Sequence, residues 1–124
     1  MSLLLIGCGY WGQNWARTLA KLDALGAICE VNPEARMILQ AQYPELTFYE
    51  DVQQALRHPG LQGVVVATPA PTHFTVAMQC IEHRLPVLIE KPMATTAEQA
   101  RLIMEAAAQY QVLVAVGHLL MRWR

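Results

Sequence analysis

Three observations predict an α/β fold for this chain: a doubly wound parallel sheet, one layer of strands with helices on both faces. Short apolar runs alternate with longer segments of helical period along almost all of the 124 residues. The first run leads directly into a glycine loop that opens a helix. Polar clusters then recur just after later runs. Strict alternation of strand and helix requires right-handed crossovers, and an open parallel sheet covered on both sides is the simplest result.

The elements follow in chain order. Leu3 to Ile6 is the first strand, and Trp11, Trp15, Leu19 and Leu22 then recur at helical spacing. Ala27 to Glu30 is the second strand. Asn32 followed by Pro33 reads as an N-cap with proline at the first helical position, opening a helix towards Tyr43. Thr47 to Tyr49 is a short strand, and Asp51 caps a short helix closed by His58, Pro59 and Gly60. Gly63 to Ala67 is the fourth strand, followed by a helix over Thr72 to His83 with Ala77, Cys80 and Ile81 inward. Val87 to Ile89 is the fifth. Thr95 and Glu98 have capping-box spacing ahead of Leu102, Ile103, Ala106 and Tyr110, and Val112 to Val116 is the last strand.

The stretch Gly7-Cys-Gly9-Tyr-Trp-Gly12 reads G-x-G-x-x-G. Alone this marks only a turn; coming off a strand and opening a helix, it has the context that a dinucleotide requires. Gly7 would permit the tight turn, Gly9 the approach of backbone to pyrophosphate, and Gly12 the close packing of helix on strand. The helix N-terminus presents free N–H groups and partial positive charge to phosphates. Tyr10 and Trp11 lie within the loop and are placed against the cofactor; Trp11 and Trp15 are also read as packing the first helix.

An acid about 20 positions further on, at the end of the second strand, is needed to accept hydrogen bonds from the adenosine ribose. Glu30 occupies that place. Its charge opposes a 2′-phosphate and so favours NAD, while Arg36 nearby keeps NADP open. Three more clusters follow strands: Thr68-Pro69 with His73, Glu90-Lys91-Pro92, and Gly117-His118. The carboxyl ends of parallel strands share one edge, so all of these converge on one crevice. Lys91, one of two lysines with Lys21, is the candidate catalytic residue. Partly desolvated there, it can exchange a proton with a substrate hydroxyl as hydride moves. His73 is expected to line the crevice, whereas His58 and His83 read as surface residues near helix ends.

Composition excludes several classes. Nine basic and ten acidic residues are interspersed at a net charge of −1, so neither nucleic acid nor an anionic membrane is an expected partner. Apolar runs are far shorter than the ~20 residues that span a bilayer. No basic leader precedes Leu3, and a cytoplasmic location is expected. Cys8, Cys29 and Cys80 lack metal-ligand spacing and read as reduced thiols, with no metal site. A hydrophobic fraction of 54% against 15% charged is rich for an isolated globule and leaves apolar surface for a partner, a homo-oligomer included.

Taken together, GCGYWG, Glu30 in CEVNPEAR, ATPAPTH at Ala67 to His73 and EKPMATT from Glu90 resemble the N-terminal half of the Gfo/Idh/MocA oxidoreductases, over about Leu3 to His118. The resemblance implies an NAD(P)-binding Rossmann domain over residues 1–124. It makes Lys91 the catalytic or proton-relay lysine, with Thr68 and Pro69 beside the cofactor and Glu90 and Pro92 shaping the wall near the nicotinamide. It also implies a sugar, polyol or nucleotide-sugar hydroxyl as substrate, and VGHLL at Val116 to Leu120 is similar to the nucleotide-sugar branch. Glu30 departs from the commoner Asp. The family's second domain, which brings substrate contacts, further catalytic residues and usually the oligomer interface, has no counterpart in these residues. Weak activity alone is therefore expected.

Two other readings stand beside this one. The chain is alternatively a non-catalytic dinucleotide-binding sensor, or a subunit completed by a partner chain. An S-adenosylmethionine-dependent methyltransferase also begins with IGCG, but those resemble an acid two positions before the first glycine and a glycine two after the second, where Leu5 and Trp11 stand here.

Overall fold

Successive side chains of each strand go to opposite sides of the sheet. Leu4 and Ile6 enter one buried cluster with Ala27, Cys29, Val64, Val66, Val87 and Ile89, whereas Leu5 joins a second with Ile28 and Val65. Neighbouring residues of a strand face opposite ways, so a run that is apolar at every position must be covered on both faces, as in a parallel sheet. The computed structural model describes residues 1–7 and 9–117, the side chains of Tyr10 and Trp11 excepted.

The elements are β1 (Leu3–Ile6), α1 (Tyr10–Lys21), β2 (Leu25–Cys29), α2 (Pro33–Gln42), β3 (Thr47–Tyr49), α3 (Val52–Ala55) and β4 (Gly63–Val66). A 3-10 turn (Ala70–Thr72) leads into α4 (His73–Glu82), followed by β5 (Val87–Glu90), α5 (Ala97–Tyr110) and β6 (Val114–Gly117). The strands form one sheet in the order β3-β2-β1-β4-β5-β6. Every pairing is parallel; Leu4 lies opposite both Ala27 and Val64.

Two cores sandwich this sheet. Trp15, Ala16 and Leu19 of α1 and Leu39 of α2 cover one face, while Ala55 of α3, Val76, Ala77, Cys80 and Ile81 of α4, and Ile103, Ala106 and Ala107 of α5 cover the other. Burying a Leu or Ile side chain is worth about 1.5–3 kcal/mol. Ile28, Ile81, Ile89 and Ile103 are all fully buried. Several apolar side chains remain on the surface, among them Leu113 at 72% exposure beside β6, and Val31, Met37 and Ile38 around α2. No described helix is long and apolar enough to cross a membrane.

Local signals hold with shifts that have physical causes. Asn32 caps α2 by accepting from the Ala35 N–H, and Asp51 caps α3 by accepting from Gln54. The cap of α5 is Thr96, one residue beyond the Thr95–Glu98 spacing: Thr96 accepts from the Gln99 N–H, and Thr95 turns its hydroxyl to the Gln99 side chain. Thr96 and Gln99 make the same pattern in the next register. Gln111 sits in the left-handed region at φ 58, and the Val112 N–H bonds to the Ala107 carbonyl. These residues finish α5, so the last strand begins at Val114 and not at Val112. Leu22 closes α1 as its C-cap and is exposed, outside the apolar stripe.

Candidate functional site

The strand order reverses between the parallel neighbours β1 and β4, since the chain winds outwards from β1 to β2 and β3 and then returns to β4, β5 and β6. A crevice opens at the carboxyl ends of the two central strands at such a switch point. Gly7 follows β1 there. Its φ is +92, and a Cβ on it would stand 2.8 Å from the Thr68 nitrogen and 2.9 Å from the Ala67 carbonyl carbon. Glycine is thus demanded twice, by conformation and by the backbone that leaves β4.

Gly9 serves differently. It is the N-cap of α1 with no side-chain cap and no acid in the first turn, and a Cβ on it would meet nothing within 4 Å. The helix therefore begins without a side-chain cap and beside open space, and the N–H groups of a first helical turn are what an anion needs. Gly12 is buried within α1. Tyr10 and Trp11 open the helix, but their side chains, like Cys8 and His118, lie outside the described residues.

Glu30 follows β2 and is 9% exposed. Its N–H bonds to the Tyr49 carbonyl at the end of β3, and its Oε2 accepts from the Asn32 N–H at 2.8 Å. Arg36 donates through Nη1 to the Glu30 carbonyl at 2.7 Å, with its Nη2 4.0 Å from Glu50. The guanidinium expected to keep NADP open is therefore engaged with backbone.

The second wall is built from the ends of β4 and β5. Ala67, Thr68, Pro69, Ala70, His73, Glu90 and Lys91 line a cavity of about 400 Å³. The Thr72 hydroxyl lies 2.6 Å from both Thr68 Oγ1 and the Pro69 carbonyl, bracing the turn after β4. His73 is 1% exposed, with Nδ1 2.7 Å from the Pro92 carbonyl and Nε2 2.7 Å from the Thr68 carbonyl. Both ring nitrogens face backbone. His73 lines this cavity, and its polar atoms join the two loops that bound it.

Glu90 ends β5 and is 5% exposed. The alternation that sends Leu88 to the α1 side sends Glu90 there too, and the Trp15 indole Nε1 donates to Glu90 Oε2 at 2.5 Å. Trp15 packs the first helix as the sequence implies, yet its hydrogen bond across the sheet to a residue 75 positions away has no signature in local spacing. Lys91 donates its N–H to the Gly117 carbonyl, which ties the turn to β6. The Lys91 side chain is exposed at the cavity, so these residues alone do not supply the partial desolvation expected of it. The Lys91–Pro92 peptide is cis.

The other singled-out groups lie apart. His58 accepts or donates through Nδ1 with the Tyr49 hydroxyl at 2.8 Å, and His83 lies against the Gln79 carbonyl. Cys29 and Cys80 are buried free thiols, and burial pushes each up to about 12. Among the described residues no group of His, Cys, Asp or Glu is arranged to hold a metal.

A switch-point crevice with an open helix N-terminus on one side and a buried acid after β2 defines the dinucleotide-binding class of doubly wound domains. The chain belongs to the Gfo/Idh/MocA oxidoreductase family with an NAD-binding Rossmann fold, whose family model matches residues 1–118. It is 30% identical over 120 residues to the rhizopine catabolism protein MocA of Rhizobium meliloti, covering 97% of this chain and 37% of that protein. It is 34% identical over 106 residues to an inositol 2-dehydrogenase of Acidothermus cellulolyticus, covering 82% of this chain and 31% of that protein. Among solved structures, the WlbA dehydrogenase from Bordetella pertussis in complex with NADH and UDP-GlcNAcA superposes with a TM-score of 0.87 at 27% identity, over 94% of this chain and 36% of that one. The chain spans about a third of the length of these relatives.

Proposed function

We propose that this chain is the cofactor half of an oxidoreductase that moves hydride between NAD and a hydroxyl-bearing carbon of a sugar, polyol or nucleotide sugar. The observation that carries the proposal is the open space at Gly9, where α1 begins after β1, together with the cavity at the ends of β4 and β5 that Lys91 lines. In this reading Gly7, Gly9, Tyr10, Trp11 and Gly12 hold the pyrophosphate side, and Glu30 accepts hydrogen bonds from the adenosine ribose. Thr68, Pro69, His73, Glu90 and Pro92 shape the nicotinamide side. Inositol 2-dehydrogenases among the relatives and UDP-GlcNAcA in the WlbA complex support a polyhydroxylated substrate.

When bound, the cofactor supplies a two-electron hydride acceptor or donor. The chain's own contribution is positional. The N–H groups of α1 neutralise phosphate charge, and the braced turns after β4 and β5 fix the walls. Lys91 Nζ exchanges a proton with the substrate oxygen as the carbon changes oxidation state. Its exposure here leaves water at the reacting centre, and the proximity contribution of several kcal/mol needs a substrate held in place. The chain alone is therefore expected to bind NADH and to turn over negligibly.

Calorimetric titration of the purified chain with NADH tests this, with sugar-dependent reduction of NAD measured in parallel. Saturable 1:1 binding without turnover is the expected result. A folded chain that ignores NADH overturns the cofactor assignment, and rapid turnover by the monodisperse chain overturns the half-site assignment.

A further inference from the structure

Strand order assigns each part of a bound dinucleotide to a stretch of the crevice. With the adenosine ribose at Glu30 after β2 and the pyrophosphate at the start of α1 after β1, the nicotinamide half extends the other way, over the ends of β4 and β5. The cavity of about 400 Å³ lies there, and the carboxylate and ammonium groups among its lining residues belong to Glu90 and Lys91. Their charges are not equally screened. Glu90 is 5% exposed, and its Oε2 accepts from the Trp15 indole Nε1 at 2.5 Å, which holds the carboxylate on the α1 side of the sheet. Lys91 is exposed. Water and salt damp the field of an exposed charge far more than that of a buried one.

The two redox forms of nicotinamide differ in charge: the oxidised ring is a cation, and the reduced ring is neutral. We propose that Glu90 is a specificity-determining residue for the oxidation state of the cofactor, its buried carboxylate favouring NAD+ over NADH. The selection rests on the function proposed above. Hydride departure from bound NADH creates positive charge on the ring beside a carboxylate already fixed in place by Trp15, so the field that selects NAD+ also assists that transfer.

The test titrates the whole chain calorimetrically with NAD+, NADH and ADP-ribose, the last lacking nicotinamide. E90Q keeps the side-chain volume and an acceptor for the Trp15 indole while removing the charge. It should weaken NAD+ about threefold to tenfold, with NADH and ADP-ribose bound as in wild type. E90D, which retains the charge, should keep an NAD+ to NADH ratio close to that of wild type. E90M removes the charge by a different route, should match E90Q, and serves where E90Q does not fold. K91M should shift the ratio in the opposite sense, by a smaller factor. A ratio that the uncharged variants leave unchanged overturns the inference. So does an equal loss of all three ligands, because Glu90 would then support the crevice without acting by charge. A folded wild-type chain that binds none of the three overturns the cofactor reading itself, an outcome distinct from binding with an unaltered ratio.

Discussion

The Trp15 indole nitrogen donates to Glu90 Oε2 at 2.5 Å, joining the helix behind the glycine loop to the residue before Lys91. Both side chains are buried, at 7% and 5% exposure. A carboxylate removed from water needs donors, and a hydrogen bond to a charged group is worth about 1.5–3 kcal/mol. W15F keeps most of the apolar volume and removes the donor, so it should lower the unfolding free energy by about 1–3 kcal/mol. The denaturation cycle formed with E90L, which removes the acceptor, and the double variant isolates the pair. A coupling of about 1 kcal/mol or more is expected; additive effects would mean that the bond contributes nothing of its own.

Gly7 and Gly9 should separate folding from binding. Alanine at Gly7 must adopt φ +92 and place its Cβ under 3 Å from the Ala67–Thr68 backbone. G7A is therefore expected to destabilise the chain by about 2 kcal/mol or more, and T68A should not rescue it because the clashing nitrogen and carbonyl carbon remain. G9A meets nothing within 4 Å. It should melt within a few degrees of wild type while losing at least about tenfold in NADH affinity, since its methyl enters the space assigned to phosphate. Equal affinity in G9A and wild type would remove Gly9 from the binding site.

How much of this could be read from residue order differs by feature. The sheet was legible because Leu3–Ile6 and Gly63–Val66 are apolar at every position, and only a strand covered on both faces has that pattern. The places of Gly7 after β1 and Glu30 after β2 were legible because the glycine pattern and the acid are read at fixed offsets from strands. The Trp15–Glu90 bond was not, because it depends on which face of β5 receives Glu90 and on where α1 lies across the sheet. His73 was half legible. Its place at the helix start follows from sequence, but the two carbonyls that claim its ring belong to separate turns.

The cysteines give the pH dependence of stability at the alkaline end. Burial raises both Cys29 and Cys80 from 9.0 to about 12, and the Glu30 charge adds to the effect at Cys29. The folded state holds these thiol protons more tightly than the unfolded state. Their contribution is thus fully present below pH 9.0 and is lost progressively as pH rises towards about 12. Chemical denaturation should show a falling midpoint above pH 9, with a shallower fall in C29A and in C80A. Neither thiol should react with a bulky disulfide reagent in the native chain at neutral pH, because the thiolate is scarce and covered. Rapid native modification of Cys80 would contradict its burial.

Glu30 is the residue on which cofactor choice should turn. Its Oε2 is held by the Asn32 N–H and Arg36 is drawn to its carbonyl, so the side chain is fixed at the end of β2. A 2′-phosphate at the adenosine ribose would bring a second negative charge beside that carboxylate. At the effective dielectric of such sites the repulsion is about 1–3 kcal/mol, a discrimination of about tenfold to a hundredfold. NADH should therefore bind at least tenfold more tightly than NADPH. E30S removes the charge and leaves a small hydrogen-bonding group; it should weaken NADH through loss of ribose contacts and improve NADPH, bringing the two affinities within about threefold of each other. Raising salt should narrow the wild-type ratio less than it would for an exposed pair, because Glu30 is 9% exposed. If E30S weakened both cofactors equally, the carboxylate would be acting on the loop around Asn32 and not on the ribose.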